Sequence, residues 1–206
     1  MPLLLVDSYF VRNHYFEELR PYAKLAVFDD LCRETYDVDL LINYNVTHVM
    51  YDYKKRYQTK DTRLLLGPQY APLRNQFAEH AQKKMAADNK AAGRLMQVLL
   101  ICGGTDPFHI LSGILKKAGS CSHFDNYYFH VVAGAYHSDL NELASLEKEI
   151  TNSRLYHNVK DMAALMAVCD IAVTAAGTIL YECCAMGLPT IFFVMAQNQE
   201  KDALAF

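Results

Sequence analysis

The feature that most constrains this chain is the regular return of short apolar runs, each closed by polar or turn-forming residues and followed by a longer stretch with helical patterning. Leu3 to Val6 stops at Asp7-Ser8-Tyr9, Lys24 to Phe28 at Asp29-Asp30, and Arg63 to Leu66 at Gly67-Pro68. Gln97 to Cys102 stops at Gly103-Gly104, Asp170 to Thr174 at Ala175-Ala176-Gly177-Thr178, and Thr190 to Val194 is the last such run. Runs of this length are too short for helices and too continuously apolar for one-sided sheets, so they read as buried parallel strands. Strands alternating with helical segments give an α/β chain with doubly wound sheets.

Further strands are expected at Val38 to Asn43, Tyr127 to Ala133 and Arg154 to His157, and Val46 to Tyr51 reads as either a strand or a loop. Helices are expected across Tyr15 to Tyr22, His109 to Lys117, Leu140 to Thr151, Met162 to Val168 and from Thr178 to Met186. From Phe77 to Arg94 the sequence turns polar, basic and alanine-rich, as a helix and linker would. The organisation expected is a partial Rossmann-like domain over 1–80, a linker or helix over 81–95, and a second Rossmann-like domain over 96–206. The first half has room for few strands, and the last strand is followed by little room for a closing helix, so the sequence reads as truncated at both ends.

With 206 residues, 52% of them hydrophobic, the chain can bury real cores without disulfides or metals. A formal charge of -3, with Lys and Arg scattered, gives no field for condensing on nucleic acid. No apolar run reaches the roughly 18 to 20 residues of a spanning helix, and the N-terminus lacks the basic region of a signal peptide, so a cytoplasmic protein without a membrane span is expected. The six cysteines form no C-x-x-C pair and read as reduced and structural. The eight histidines lack metal-ligand spacing, so no metal and no cofactor is expected. An unfinished sheet edge would favour self-association.

Three strand-end segments carry chemistry. Gly103-Gly104-Thr105-Asp106 joins a strand to a helix, where glycines admit a phosphate close to the backbone and the helix start supplies amide donors. It is neither G-x-G-x-x-G nor a P-loop, and a plain tight turn is the alternative reading. Ala176-Gly177-Thr178 repeats the arrangement, and Glu182, one turn into the following helix, suits two vicinal ribose hydroxyls. Because its neighbours are apolar, this carboxylate asks for a partner. Gln197-Asn198-Gln199 follows the last strand, where amides can read sugar hydroxyls. In the first half, Asp7, Tyr9, Asp29 and Asp30 stand at strand carboxyl ends, the position of a ligand crevice, or else cap the helices that follow.

Taken in order, Val6-Asp7-Ser8-Tyr9, Phe28-Asp29-Asp30, Leu66-Gly67-Pro68-Gln69-Tyr70, Leu73-Arg74-Asn75-Gln76-Phe77, Gly103-Gly104-Thr105-Asp106, Ala176-Gly177-Thr178 with Tyr181-Glu182, and Gln197-Asn198-Gln199 resemble the UDP-sugar hydrolase family of the pseudaminic acid pathway. That family includes spore coat polysaccharide proteins and is similar in fold to the N-acetylglucosaminyltransferase of peptidoglycan synthesis. The resemblance implies a GT-B fold and a metal-independent attack of water at C1 of UDP-2,4-diacetamido-2,4,6-trideoxy-altrose, with inversion and release of UDP. It implies that Gly104, Gly177 and Thr178 face the diphosphate, with Gly103 also among the UDP- and sugar-binding residues, that Glu182 holds the ribose, and that Asn198 and Gln199 contact the sugar. Arg74 would neutralise the diphosphate, and Tyr9 would stand near the attacking water. The family's catalytic histidine lies in a glycine-rich loop that this sequence does not contain, and the motif order does not equate His14 with it. The chain is therefore expected to bind UDP and to be inactive alone. A UDP-dependent glycosyltransferase of cell-surface polysaccharide synthesis and a non-catalytic nucleotide-sugar-binding subunit are the alternatives.

Overall fold

The computed structural model describes residues 1–86 and 93–206. The chain divides into two compact units, one of residues 1–72 with 204–206, the other of residues 73–203. Each holds one fully parallel sheet.

In the first unit β1 (Leu3–Asp7), β2 (Lys24–Phe28), β3 (Leu40–Asn43) and β4 (Arg63–Leu66) lie side by side in chain order. Helix α1 (Asn13–Leu19) links β1 to β2, and a 3-10 turn, Val46–Met50, with the short helix α2 (Tyr53–Arg56) lies between β3 and β4. The core is Phe16, Leu25, Val27, Leu41, Tyr53 and Tyr57, with Val38 buried among them. Val38 precedes β3 rather than opening it. The Asp39 carboxylate accepts the Leu25 N–H at 2.8 Å, so a side chain replaces a ladder bond at the point where the strand was expected to be under way. Val46 to Tyr51, read from sequence as strand or loop, is the 3-10 turn. Helix α2 was not anticipated, and its start is fixed by Asp52, whose carboxylate accepts the Lys55 N–H at 3.1 Å.

The second unit opens with α3 (Asn75–Ala86), followed by β5 (Met96–Ile101), α4 (Ile110–Gly119), β6 (Tyr127–Ala133), α5 (Leu140–Glu149) and β7 (Ser153–His157). Helix α6 (Met162–Val168), β8 (Ile171–Ala175), α7 (Ile179–Ala185), β9 (Thr190–Phe193) and α8 (Glu200–Ala205) complete the order. Helix α8 is six residues long, and its last two residues, Leu204 and Ala205, group with the first unit. Of the linker expected over 81–95, residues 87–92 lie outside the described residues.

The strand order is β7-β6-β5-β8-β9. Alternation along β5 sends Leu99 and Ile101 into a core with Phe77, Met162, Met166 and Cys183, and sends Val98, Leu100 and Cys102 into another with Leu111, Leu115, Phe129 and Leu143. The sheet is therefore covered on both faces, as a continuously apolar parallel strand requires. Connections run outward in one direction from β5 through β6 to β7, and in the other from β8 to β9. The order reverses between β5 and β8, and in open α/β sheets ligands bind outside the strand carboxyl ends at such a switch point.

Candidate functional site

Two loops flank the switch point. After β5, Gly103 takes φ 89°, a left-handed conformation that glycine adopts without strain, and Gly104 follows. The Gly103 and Gly104 N–H groups donate to no protein acceptor among the described residues, while the Gly104 carbonyl accepts the Tyr136 N–H at 3.3 Å. After β8, the Gly177 N–H is turned back onto the Ala175 carbonyl at 2.9 Å, so its amide is already engaged and Thr178 is the residue that opens α7. A methyl placed on Gly177 would meet Gln199 Nε2 at 3.8 Å, and Gln199 Oε1 accepts the Met195 N–H at 2.9 Å. The third loop is thereby folded against the second. Asn198 stands in the 3-10 turn Gln197–Gln199 that forms this loop.

A cavity of about 270 Å³ opens at these strand ends, lined by Arg74, Gly103, Gly104, Gly134, Asn158, Met162, Ile179 and Glu182 among others. It gathers four of the residues singled out from sequence: Arg74, Gly103, Gly104 and Glu182. Gly177, Thr178 and Gln199 form a neighbouring group at the start of α7 and are not part of the cavity wall. Glu182 is mostly buried, and desolvation pushes its carboxyl above the ordinary glutamate value while Arg74 pulls it back. The partner that an acid in an apolar helix calls for is Arg74, whose Nη2 lies 3.5 Å from Glu182 Oε1. Arg74 is steadied by the Lys160 carbonyl at 3.4 Å and by the Phe77 ring, 5.3 Å beneath the guanidinium.

Gly134 and Asn158 were missed by sequence reasoning. Gly134 follows β6 as Gly103 follows β5, and the same strand-end argument would have found it. Asn158 follows β7 and has φ 53°, a conformation that asparagine tolerates better than most residues. No glycine marked it.

In the first unit, a separate cavity of about 190 Å³ is lined by Asp7, Ser8, Tyr9, Phe28, Asp29, Asp30, Ile42, Asn43 and Tyr44. The Tyr9 hydroxyl donates to Asp30 Oδ2 at 2.7 Å, and this bond, with partial burial, pushes the phenol up to about 12. Asp29 is buried and accepts the N–H groups of Leu31 and Cys32 at 3.2 Å and 3.0 Å, with the Tyr53 hydroxyl on its second oxygen at 3.1 Å. It closes the turn after β2 and caps no helix, since β3 is the next element, and burial raises its carboxyl above the ordinary aspartate value.

Among the described residues one group offers three potential metal ligands within 4.8 Å of one another: His109, Asp139 and Glu142. His109 and Asp139 already bond to each other, and Lys116 Nζ holds Glu142 at 2.5 Å. No helix of the described residues is long and apolar enough to cross a membrane.

The two parallel sheets, with the switch-point crevice in the second, are those of a GT-B type α/β protein with a glycosyltransferase-like fold. Residues 98–206 match the glycosyltransferase family 28 C-terminal domain, and the chain belongs to that family. It is 24% identical over 96% of its length to the uncharacterised protein MJ1062 of Methanocaldococcus jannaschii. It is 23% identical over 73% of its length to the spore coat polysaccharide biosynthesis protein SpsG of Bacillus subtilis. The UDP-N-acetylglucosamine–N-acetylmuramyl-(pentapeptide) pyrophosphoryl-undecaprenol N-acetylglucosamine transferase of Finegoldia magna is 27% identical over 74% of the chain. These alignments span 40%, 43% and 42% of the respective relatives' own lengths. Among solved structures, the pneumococcal O-GlcNAc transferase GtfA, in complex with UDP and GlcNAc, superimposes with a TM-score of 0.52 at 16% identity, over 95% of this chain and 43% of that one.

Proposed function

We propose that the C-terminal unit binds the UDP moiety of an activated sugar, and that the chain belongs to a protein that hydrolyses such a sugar nucleotide. The observation that carries this reading is the switch-point cavity, which unites unbonded glycine amides, a cation and a half-buried carboxylate at the end of one sheet. Amides at Gly103 and Gly104 suit diphosphate oxygens, and the Arg74 guanidinium neutralises charge there. Glu182 suits the ribose diol, accepting one hydrogen bond per hydroxyl. In the ligand-free chain Arg74 and Glu182 occupy each other; an arriving diphosphate draws Arg74 away and frees the carboxylate for the ribose. Thr178 and Gln199 stand beside this group and supply hydroxyl and amide contacts to the distal phosphate and the sugar.

The chemistry proposed is attack of water at C1 of a diacetamido-trideoxy hexose, with the C1–O bond breaking and the electron pair leaving on UDP. Charge grows on the departing phosphate, where the Gly103–Gly104 amides and Arg74 offset it. In the first unit the Tyr9 phenol is held protonated by its bond to Asp30, which does not suit it to act as a base.

Calorimetric titration with UDP, with CDP and dTDP as controls, tests the binding reading: selective uptake of UDP is expected, and equal or absent uptake refutes it. Turnover of the UDP-diacetamido sugar in ¹⁸O-water without acceptor tests the hydrolysis in the full-length protein. Label at sugar C1 is expected, whereas release that requires an added acceptor identifies a transferase. The family's own description and the Finegoldia magna relative support that second reading.

A further inference from the structure

The loop after β6 has features that the nucleotide reading leaves unused. Gly134 packs so closely on the Gly103–Gly104 turn that a Cβ would lie 2.7 Å from both Cα and O of Gly104, and would also overlap the Gly103 carbonyl. The obstacle is backbone, so no side chain fits without moving the turn. Tyr136 N–H donates to the Gly104 carbonyl at 3.3 Å, and His137 N–H closes its own loop onto the Gly134 carbonyl at 3.2 Å.

Beneath this contact Asp106 and His137 are both buried. The Asp106 carboxylate accepts the N–H of Ile110 at 3.0 Å and of Leu111 at 2.8 Å, which ties the glycine turn to the start of α4. His137 Nδ1 accepts the Asp139 N–H at 3.2 Å, which leaves the ring proton on Nε2. Among the described residues that nitrogen has no hydrogen-bond partner, and it lies 3.8 Å from Asp106 Oδ2. A buried N–H directed at a carboxylate holds two loops together electrostatically in a site of low dielectric.

We propose that Gly134 and His137 are positioning residues of the anion site: they clamp the Gly103–Gly104 turn in the shape that presents its amides to a diphosphate. The ligand in this statement rests on the UDP reading, whereas the clamp does not. The test therefore has two readouts on the whole chain. The first is the ¹⁵N order parameters of Gly103, Gly104 and Thr105 without ligand; the second is affinity for UDP and for uridine.

In the wild type the turn is expected to be as ordered as the flanking strands, near about 0.85, and to fall below about 0.6 in Gly134→Ala and His137→Ala. UDP affinity is expected to drop at least about tenfold, with uridine affinity changed less than about threefold, because only the diphosphate meets the turn. Gly113→Ala, on the exposed side of α4 where a methyl meets nothing within 4 Å, is the control and leaves both readouts unchanged. His137→Asn keeps an acceptor for Asp139 and serves if His137→Ala does not fold. Unchanged order parameters in Gly134→Ala and in the folded His137 variant overturn the clamp. Disorder with undiminished UDP affinity, or equal losses for UDP and uridine, overturns its role toward phosphate. A wild type that ignores UDP while its variants loosen the turn leaves the clamp standing and removes the nucleotide reading.

Discussion

Glu182→Ala separates binding from folding more sharply than any other substitution at this site. In the ligand-free chain Glu182 has, among the described residues, one ion-pair partner, Arg74, at 3.5 Å, and the Arg74 side chain is 52% exposed. A pair that open to water contributes roughly 0 to 1 kcal/mol. Against it stands the desolvation that raises the Glu182 carboxyl, so removing the side chain changes ligand-free stability by no more than about 1 kcal/mol in either direction. The bound state differs. Two hydroxyls donating to a carboxylate are charge-assisted bonds of about 1.5 to 3 kcal/mol each in net terms, reduced by the Arg74 pair given up and by imperfect geometry. The net loss expected is about 1 to 3 kcal/mol, a weakening of UDP binding by roughly 5- to 150-fold. Calorimetric titration gives the affinity, and thermal unfolding of the same sample gives the stability. A dissociation constant within about twofold of wild type would refute the ribose assignment, and a large fall in melting temperature would show that the carboxylate serves the fold instead.

The Glu182 carboxyl, raised by burial, must lose its proton to accept from ribose, so UDP affinity is expected to fall on acidification sooner than an ordinary glutamate would dictate. Arg74→Gln removes the group that lowers this carboxyl, and moves that fall to higher pH in titrations between about pH 4 and pH 8. For folding the sign is opposite: a raised carboxyl binds its proton more tightly in the folded chain, so its favourable contribution belongs to acid pH and is lost as pH rises through the folded value. Glu182→Gln is accordingly expected to stabilise the ligand-free chain at neutral pH, by up to about 1 kcal/mol in denaturant unfolding. Leu99, fully buried in β5, should cost about 2 to 5 kcal/mol as Leu99→Ala, read as a lower urea midpoint. Asp30→Asn replaces the charged acceptor of the Tyr9 hydroxyl with a neutral amide, and ultraviolet titration should show one tyrosine moving down from about 12.

The sequence by itself determined most of the strands, because a parallel strand buried on both faces must be apolar along its whole length and a turn must end it. Lys24–Phe28, Arg63–Leu66 and Tyr127–Ala133 appear with the expected bounds. It also marked the Gly103–Gly104 turn after one strand and Glu182 one turn into the helix after another, because a glycine pair bends the chain there and an acid among apolar residues needs a partner. Local side-chain bonding decided what the pattern could not. Asp39 delays β3 by taking a ladder donor, and Asp52 starts a helix where no periodicity announces one. Only the tertiary structure decided which loops meet. The reversal between β5 and β8 brings Gly103 to Glu182, and α3 brings Arg74 to the same carboxylate from 108 positions away. The fit of Gly134 against Gly104 likewise depends on which strand lies beside β5. Strand order follows from burying both faces of the sheet at once, a condition on the whole chain that no local segment carries.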